Sequence, residues 1–156
     1  SVRLRVVSWM GSARGRHGFD VLKKLISSDP DEKVRERAIT SLSSSREPEA
    51  FDLMISIARG DPNPRMREQA IGALSRKGGP QAVSTLSKVI ESDTDNQVKR
   101  RAVTALNQMP DGEGIPLLIQ VVKSSQNAEV RKQAMSTLGQ SRDPRAVMFF
   151  EEVLKK

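Results

Sequence analysis

The chain has 156 residues, 37% of them hydrophobic and 29% charged, enough for one domain with a real core and short for two. Cysteine is absent, which excludes disulfides, thiol catalysis and cysteine-ligated metals; no run nears the roughly 18 apolar residues a transmembrane helix needs, and the opening residues do not read as a secretory signal. The formal charge of +7 favours nucleic acid, anionic lipid or an acidic protein as partner without choosing among them.

Along the chain an apolar residue followed by a base recurs as Val2-Arg3, Val34-Arg35, Met66-Arg67, Val98-Lys99 and Val130-Arg131, each step 32 residues. Four positions on stand Val6, Ala38, Ala70, Ala102 and Ala134, and four further Met10, Leu42, Leu74, Leu106 and Leu138. With Val7, Ile39, Ile71, Val103 and Met135 these spacings predict an amphipathic helix opening each repeat, its small central residue admitting a close neighbour. The second half of each unit repeats the period, as in Phe51, Met54, Ile57 and Ala58 or Ile115, Leu118, Val121 and Val122. Turn formers separate the two helices at Arg46-Glu47-Pro48, Gly78-Gly79-Pro80, Pro110-Asp111-Gly112 and Arg142-Asp143-Pro144. After the second helix, Asp29-Pro30 and Asp61-Pro62-Asn63-Pro64 read as Asp caps followed by prolines at a helix start. No stretch alternates with the period of a strand.

A pair of helices cannot bury its apolar faces alone, so the units must stack. The expected architecture is an all-α, right-handed α-solenoid: one domain over 1–156 with repeats at 2–33, 34–65, 66–97, 98–129 and 130–156. The first helix carries Leu4, Val6, Val7, Trp9 and Met10, more apolar than a terminal cap, which predicts either a piece of a longer solenoid or an N-terminal face that meets another chain, self-association included.

The pattern Val-Arg-x-x-Ala-x-x-x-Leu followed by Asp-Pro-x-Ala resembles the short bacterial HEAT repeats of the phycobilisome-lyase-like type. Residues 129–156, with Val130-Arg131, Gly139-Gln140, Asp143-Pro144-Arg145-Ala146 and Phe149-Phe150-Glu151-Glu152, are especially similar to the closing repeat of bacterial HEAT-containing proteins. The resemblance implies the solenoid fold and a ladder in which Asp29 with Arg35, Asp61 with Arg67, and Asp93 with Lys99 bridge a loop and the next helix, Ser125 interrupting it before Arg131. These bases are accordingly assigned to structure.

The residue three after the Val should face outward, which makes Arg5, Arg37, Gln69, Arg101 and Gln133 the candidate partner-binding ridge, with Trp9, Ser12, Ser44, Arg76 and Gln108 beside it. Trp9 stands where other repeats have Ser41, Ala73, Ala105 and Thr137, as an interface anchor or as packing for a neighbour. Residues 1–28 hold Arg3, Arg5, Arg14, Arg16, Lys23 and Lys24 against Asp20 alone, so the surplus charge reads as N-terminal and not as a groove along the repeats. In the turn 11–18, Arg14 and Arg16 form a weak candidate anion site; neither Lys-Ser/Thr nor a preceding strand supports a nucleotide loop, and His17, the single histidine, leaves no zinc site. Acidic pairs such as Glu151-Glu152 and Asp93 with Asp95 fall at helix ends or turns, where they cap. No catalytic arrangement, metal or cofactor emerges. The expected function is a non-catalytic protein–protein scaffold; a basic nucleic-acid-binding module is the alternative, and a bilin-lyase-like enzyme or chaperone a remote one.

Overall fold

The computed structural model describes residues 1–13 and 15–156. Those residues form ten α-helices and two short 3-10 turns, Leu42–Ser44 and Pro110–Gly112, and no strand among them. They divide into two compact units, 1–77 and 78–156. The first unit holds α1 (Val2–Ser12), α2 (Gly15–Ser28), α3 (Glu32–Ser41), α4 (Pro48–Gly60) and α5 (Pro64–Lys77). The second holds α6 (Pro80–Ser92), α7 (Asn96–Asn107), α8 (Ile115–Ser124), α9 (Ala128–Gly139) and α10 (Pro144–Leu154). The division falls inside the repeat 66–97, at Gly78 and Gly79, both with positive φ that glycine adopts without a side-chain clash.

The first helices of successive repeats pack on one another, α1 on α3 and α3 on α5 in the first unit and α7 on α9 in the second. Their buried faces are the repeated columns. Val34, Met66, Val98 and Val130 are buried, as are Ala38, Ala70, Ala102 and Ala134 and then Leu42, Leu74, Leu106 and Leu138. The second helices have their own column of small buried residues, Gly18, Ala50, Ala82 and Ala146, continued in α8 by its N-cap Gly114. At Gly114 a Cβ would meet the Leu106 carbonyl, and at Gly11 the Ser41 carbonyl, so these backbones approach closer than any side chain permits. The first repeat departs from the column: Val2 and Val6 are exposed there.

Proline starts α4, α5, α6 and α10, where its missing N–H costs nothing. The caps at the two Asp-Pro turns between repeats differ from the sequence expectation by two residues. Asp31, not Asp29, caps α3 and accepts from the Lys33 amide, while Asn63 accepts from the Arg65 amide at the start of α5. Asp29 and Asp61 instead fold the preceding turn, accepting from the Asp31 and Asn63 amides at 2.9 and 2.8 Å. Asp93 and Asp95 repeat this double turn before α7, as Ser125 and Asn127 do before α9. A short polar side chain two residues ahead of the cap holds the turn, so Pro30 and Pro62 lie in turns and not at helix starts.

Candidate partner-binding site

Three of the four bases assigned to the ladder reach main-chain oxygen. Arg35 donates to the Asp29 carbonyl, Arg67 Nη1 to the Asp61 carbonyl at 2.8 Å and Arg131 Nη1 to the Ser125 carbonyl at 2.6 Å. Because the acceptor is backbone, Ser125 does not interrupt the series. The buried Asp29 carboxylate is held by Arg3, from the same repeat. Lys99 is half-buried and lines a cleft between α6 and α8 with Ser87, Ile90, Gln120 and Asn127.

The anticipated ridge residues separate into two groups. In the first unit, Arg37 and Gln69 line one open cleft with Leu4, Lys33, Glu36 and Thr40. Arg37 Nη1 also donates to Ser8 Oγ at 3.4 Å, and Arg76 reaches back across α3 to Ser43 Oγ at 3.4 Å and the Thr40 carbonyl at 3.3 Å. Arg5 is exposed on α1, and Trp9 stays 66% exposed. In the second unit, Arg101 and Gln133 line a cleft with Gln97, Arg100 and Thr104. Arg101 Nη1 lies 3.5 Å from Gln108 Oε1, and Gln133 Nε2 donates to Thr104 Oγ1 at 3.2 Å. A contiguous cleft, sharing Arg100 and Gln133, adds Glu129, Lys132 and Ser136.

Arg100 and Lys132 are the surface residues that sequence reasoning passed over. Their column reads Leu4, Glu36, Glu68, Arg100 and Lys132, and its changes of sign hid a pair of bases that adjacent helices bring to one cleft. The surplus of residues 1–28 stands, but bases also gather on the first helices of both units. First helices carry the excess in both units: nine bases against three acids on α1, α3 and α5, and five bases against Glu129 on α7 and α9. On α6, α8 and α10 the three bases and three acids balance. Asp-rich turns offset the bases in a linear count, although they sit at the helix ends.

Arg14 of the weak anion site lies outside the described residues. Arg16 is already surrounded by carboxylates, with Asp20 at 3.4 Å, Glu47 at 3.9 Å and Glu49 hydrogen-bonded, and its guanidinium stands over the Phe19 ring at 5.4 Å. The hydrogen bond raises the Arg16 pKa and lowers that of Glu49. A free anion would compete with three acids there. Among the described residues no group of three or more His, Cys, Asp or Glu is placed to hold a metal, and no helix is long and apolar enough to cross a membrane.

The sequence profile for HEAT repeats matches residues 1–75, 19–96 and 83–156. Curated proteins yield no match. Among solved structures, the complex of CpcE and CpcF of phycocyanin lyase from Nostoc sp. PCC7120 is similar with a TM-score of 0.58 and 19% identity, over 86% of this chain and 85% of that one.

Proposed function

The chain belongs to the HEAT-repeat family of α-solenoid proteins, and we propose that it is a non-catalytic scaffold that binds a protein partner through the outer faces of its first helices. One observation carries this reading. Where the repeats bury their apolar columns, the polar positions between them are left to line open clefts on α3 and α5 and on α7 and α9. Such surfaces bind by shape and placed polar groups, and their residues are free to vary without cost to the core. Charge reversal at Arg37 and Arg101 therefore tests it. The doubly substituted chain (Arg37→Glu, Arg101→Glu) should lose the proteins that the parent captures by affinity purification, while its thermal unfolding moves little. Capture of the same proteins by both, or a large loss of stability, would refute the assignment.

The likeness to a phycocyanin lyase complex supports a second reading, a bilin-lyase-like role. Co-expression with phycocyanin subunits and a bilin separates the two, because only a lyase would raise the yield of chromophore covalently attached to those subunits. A nucleic-acid module, the third reading, draws on the basic first helices and would show duplex retention that collapses as salt rises.

A further inference from the structure

On α7 and α9 the charge pattern is specific enough to name the partner's chemistry. Arg100, Arg101 and Lys132 meet around two contiguous clefts, with Gln97, Thr104, Gln133 and Ser136 between them. Arg100 Nη2 donates to Gln97 Oε1 at 2.7 Å, which leaves the rest of its guanidinium fork directed by that anchor, and Arg100 and Lys132 themselves are exposed. Neither helix carries an aromatic residue. We propose that this surface is a docking site for an acidic peptide segment, its Asp or Glu carboxylates paired with Arg100, Arg101 and Lys132. The proposal rests on the scaffold reading above and deepens it.

Three features favour a peptide over nucleic acid. Single-stranded nucleic acid binds largely by stacking its bases, and here there is no ring to stack on. A duplex presents an unbroken track of phosphates, whereas Glu129 sits in the same cleft as Arg100 and Lys132 and would repel any phosphate placed beside it. A peptide avoids that clash by placing a neutral or basic residue opposite Glu129. Spacing also fits. Packed helix axes lie about 8–10 Å apart, so bases on α7 and α9 are within side-chain reach of carboxylates two residues apart on an extended peptide, about 6.5–7 Å. The amides of Gln97 and Gln133 and the hydroxyls of Thr104 and Ser136 then supply donors and acceptors for the peptide backbone.

The test is fluorescence anisotropy with two probes, a fluorescein-labelled peptide alternating Glu and Ser over twelve residues and a labelled twelve-base-pair duplex. The parent chain is compared with Arg100→Glu/Lys132→Glu and with Lys88→Glu/Arg142→Glu, which reverses two exposed bases of the same unit outside the clefts. The parent should bind the peptide more tightly than the duplex at equal salt. The cleft variant should lose at least about tenfold in peptide affinity while the control variant keeps it. No peptide binding at low salt, equal losses in both variants, or tighter binding of the duplex would each overturn the proposal. A chain that captures its protein partner through Arg37 and Arg101 yet ignores the peptide overturns the acid preference alone and leaves the scaffold reading standing.

Discussion

Asp143 has two tasks at the start of α10. Its carboxylate accepts the Arg145 amide at 2.9 Å as the helix cap, and also the Arg145 side chain, at 3.0 Å from Nε and 2.8 Å from Nη2. Arg145 Nη2 in turn donates to the Gly112 carbonyl at 2.9 Å, which ties the cap to the turn of the preceding repeat. The side-chain hydrogen bond from Arg145, helped by its amide, lowers the Asp143 pKa from 3.8 to about 2. A carboxyl depressed on folding stabilises the fold fully above its ordinary value, and that contribution fades as pH falls from about 4 towards about 2. Asparagine caps as well as aspartate but carries no charge. Asp143→Asn should therefore melt below the parent at neutral pH, and the gap should narrow from about pH 4 and close below about pH 2 when both are followed by circular dichroism. A gap that stays constant with pH would show that the charge contributes nothing. Single residues were also the least legible scale in the sequence. Ser125 looked like a defect in the Asp series because a side-chain acceptor was assumed, whereas Arg131 uses the carbonyl that any residue supplies. Asp29 looked like the helix cap because Asp and Pro together signal one. The turn needs two short polar residues two positions apart, and the second is the cap.

At the scale of the helix, the repeated alanines set how closely first helices pack. Ala70 on α5 is fully buried, and its column partner Val6 on α1 is 41% exposed. A leucine at the two positions should consequently behave in opposite ways. Ala70→Leu adds three carbons to a filled contact and should cost on the order of 1–3 kcal/mol. Val6→Leu, on an exposed face, should stay within about 0.5 kcal/mol of the parent. Urea denaturation of both variants checks this, and equal costs would mean that the alanine column does not govern packing. This level was the most legible. A 32-residue recurrence of apolar columns, broken by proline and glycine, fixes helix number, order and buried face, because each column has to find the same neighbour in every repeat. The charged outer faces carry no such constraint. Arg100 and Lys132 consequently left no periodic trace, and only the packing of α7 beside α9 brings them together.

For the whole molecule, the helical reading changes what the charge of +7 means and what stability depends on. Bases concentrate on first helices in each unit and acids in the turns, so a linear count hides first-helix surfaces on which bases outnumber acids. Stability has the same local character. In a repeat protein each unit contacts its neighbours, and the total is close to a sum of repeat and junction contributions. Gly11→Ala probes one such junction, between the first and second repeats, and Gly114→Ala a contact between the two helices of the repeat 98–129. The new methyl meets the Ser41 backbone in the first unit and the Leu106 backbone in the second, and neither backbone can move aside as a flexible side chain would. Each substitution should cost on the order of 1–3 kcal/mol, measured from urea denaturation. Because the two contacts involve different residues in different units, their costs should add to within about 0.5 kcal/mol in the double variant. A larger departure from additivity would show that the two contacts are energetically coupled, and stability would then belong to the array and not to its neighbouring pairs.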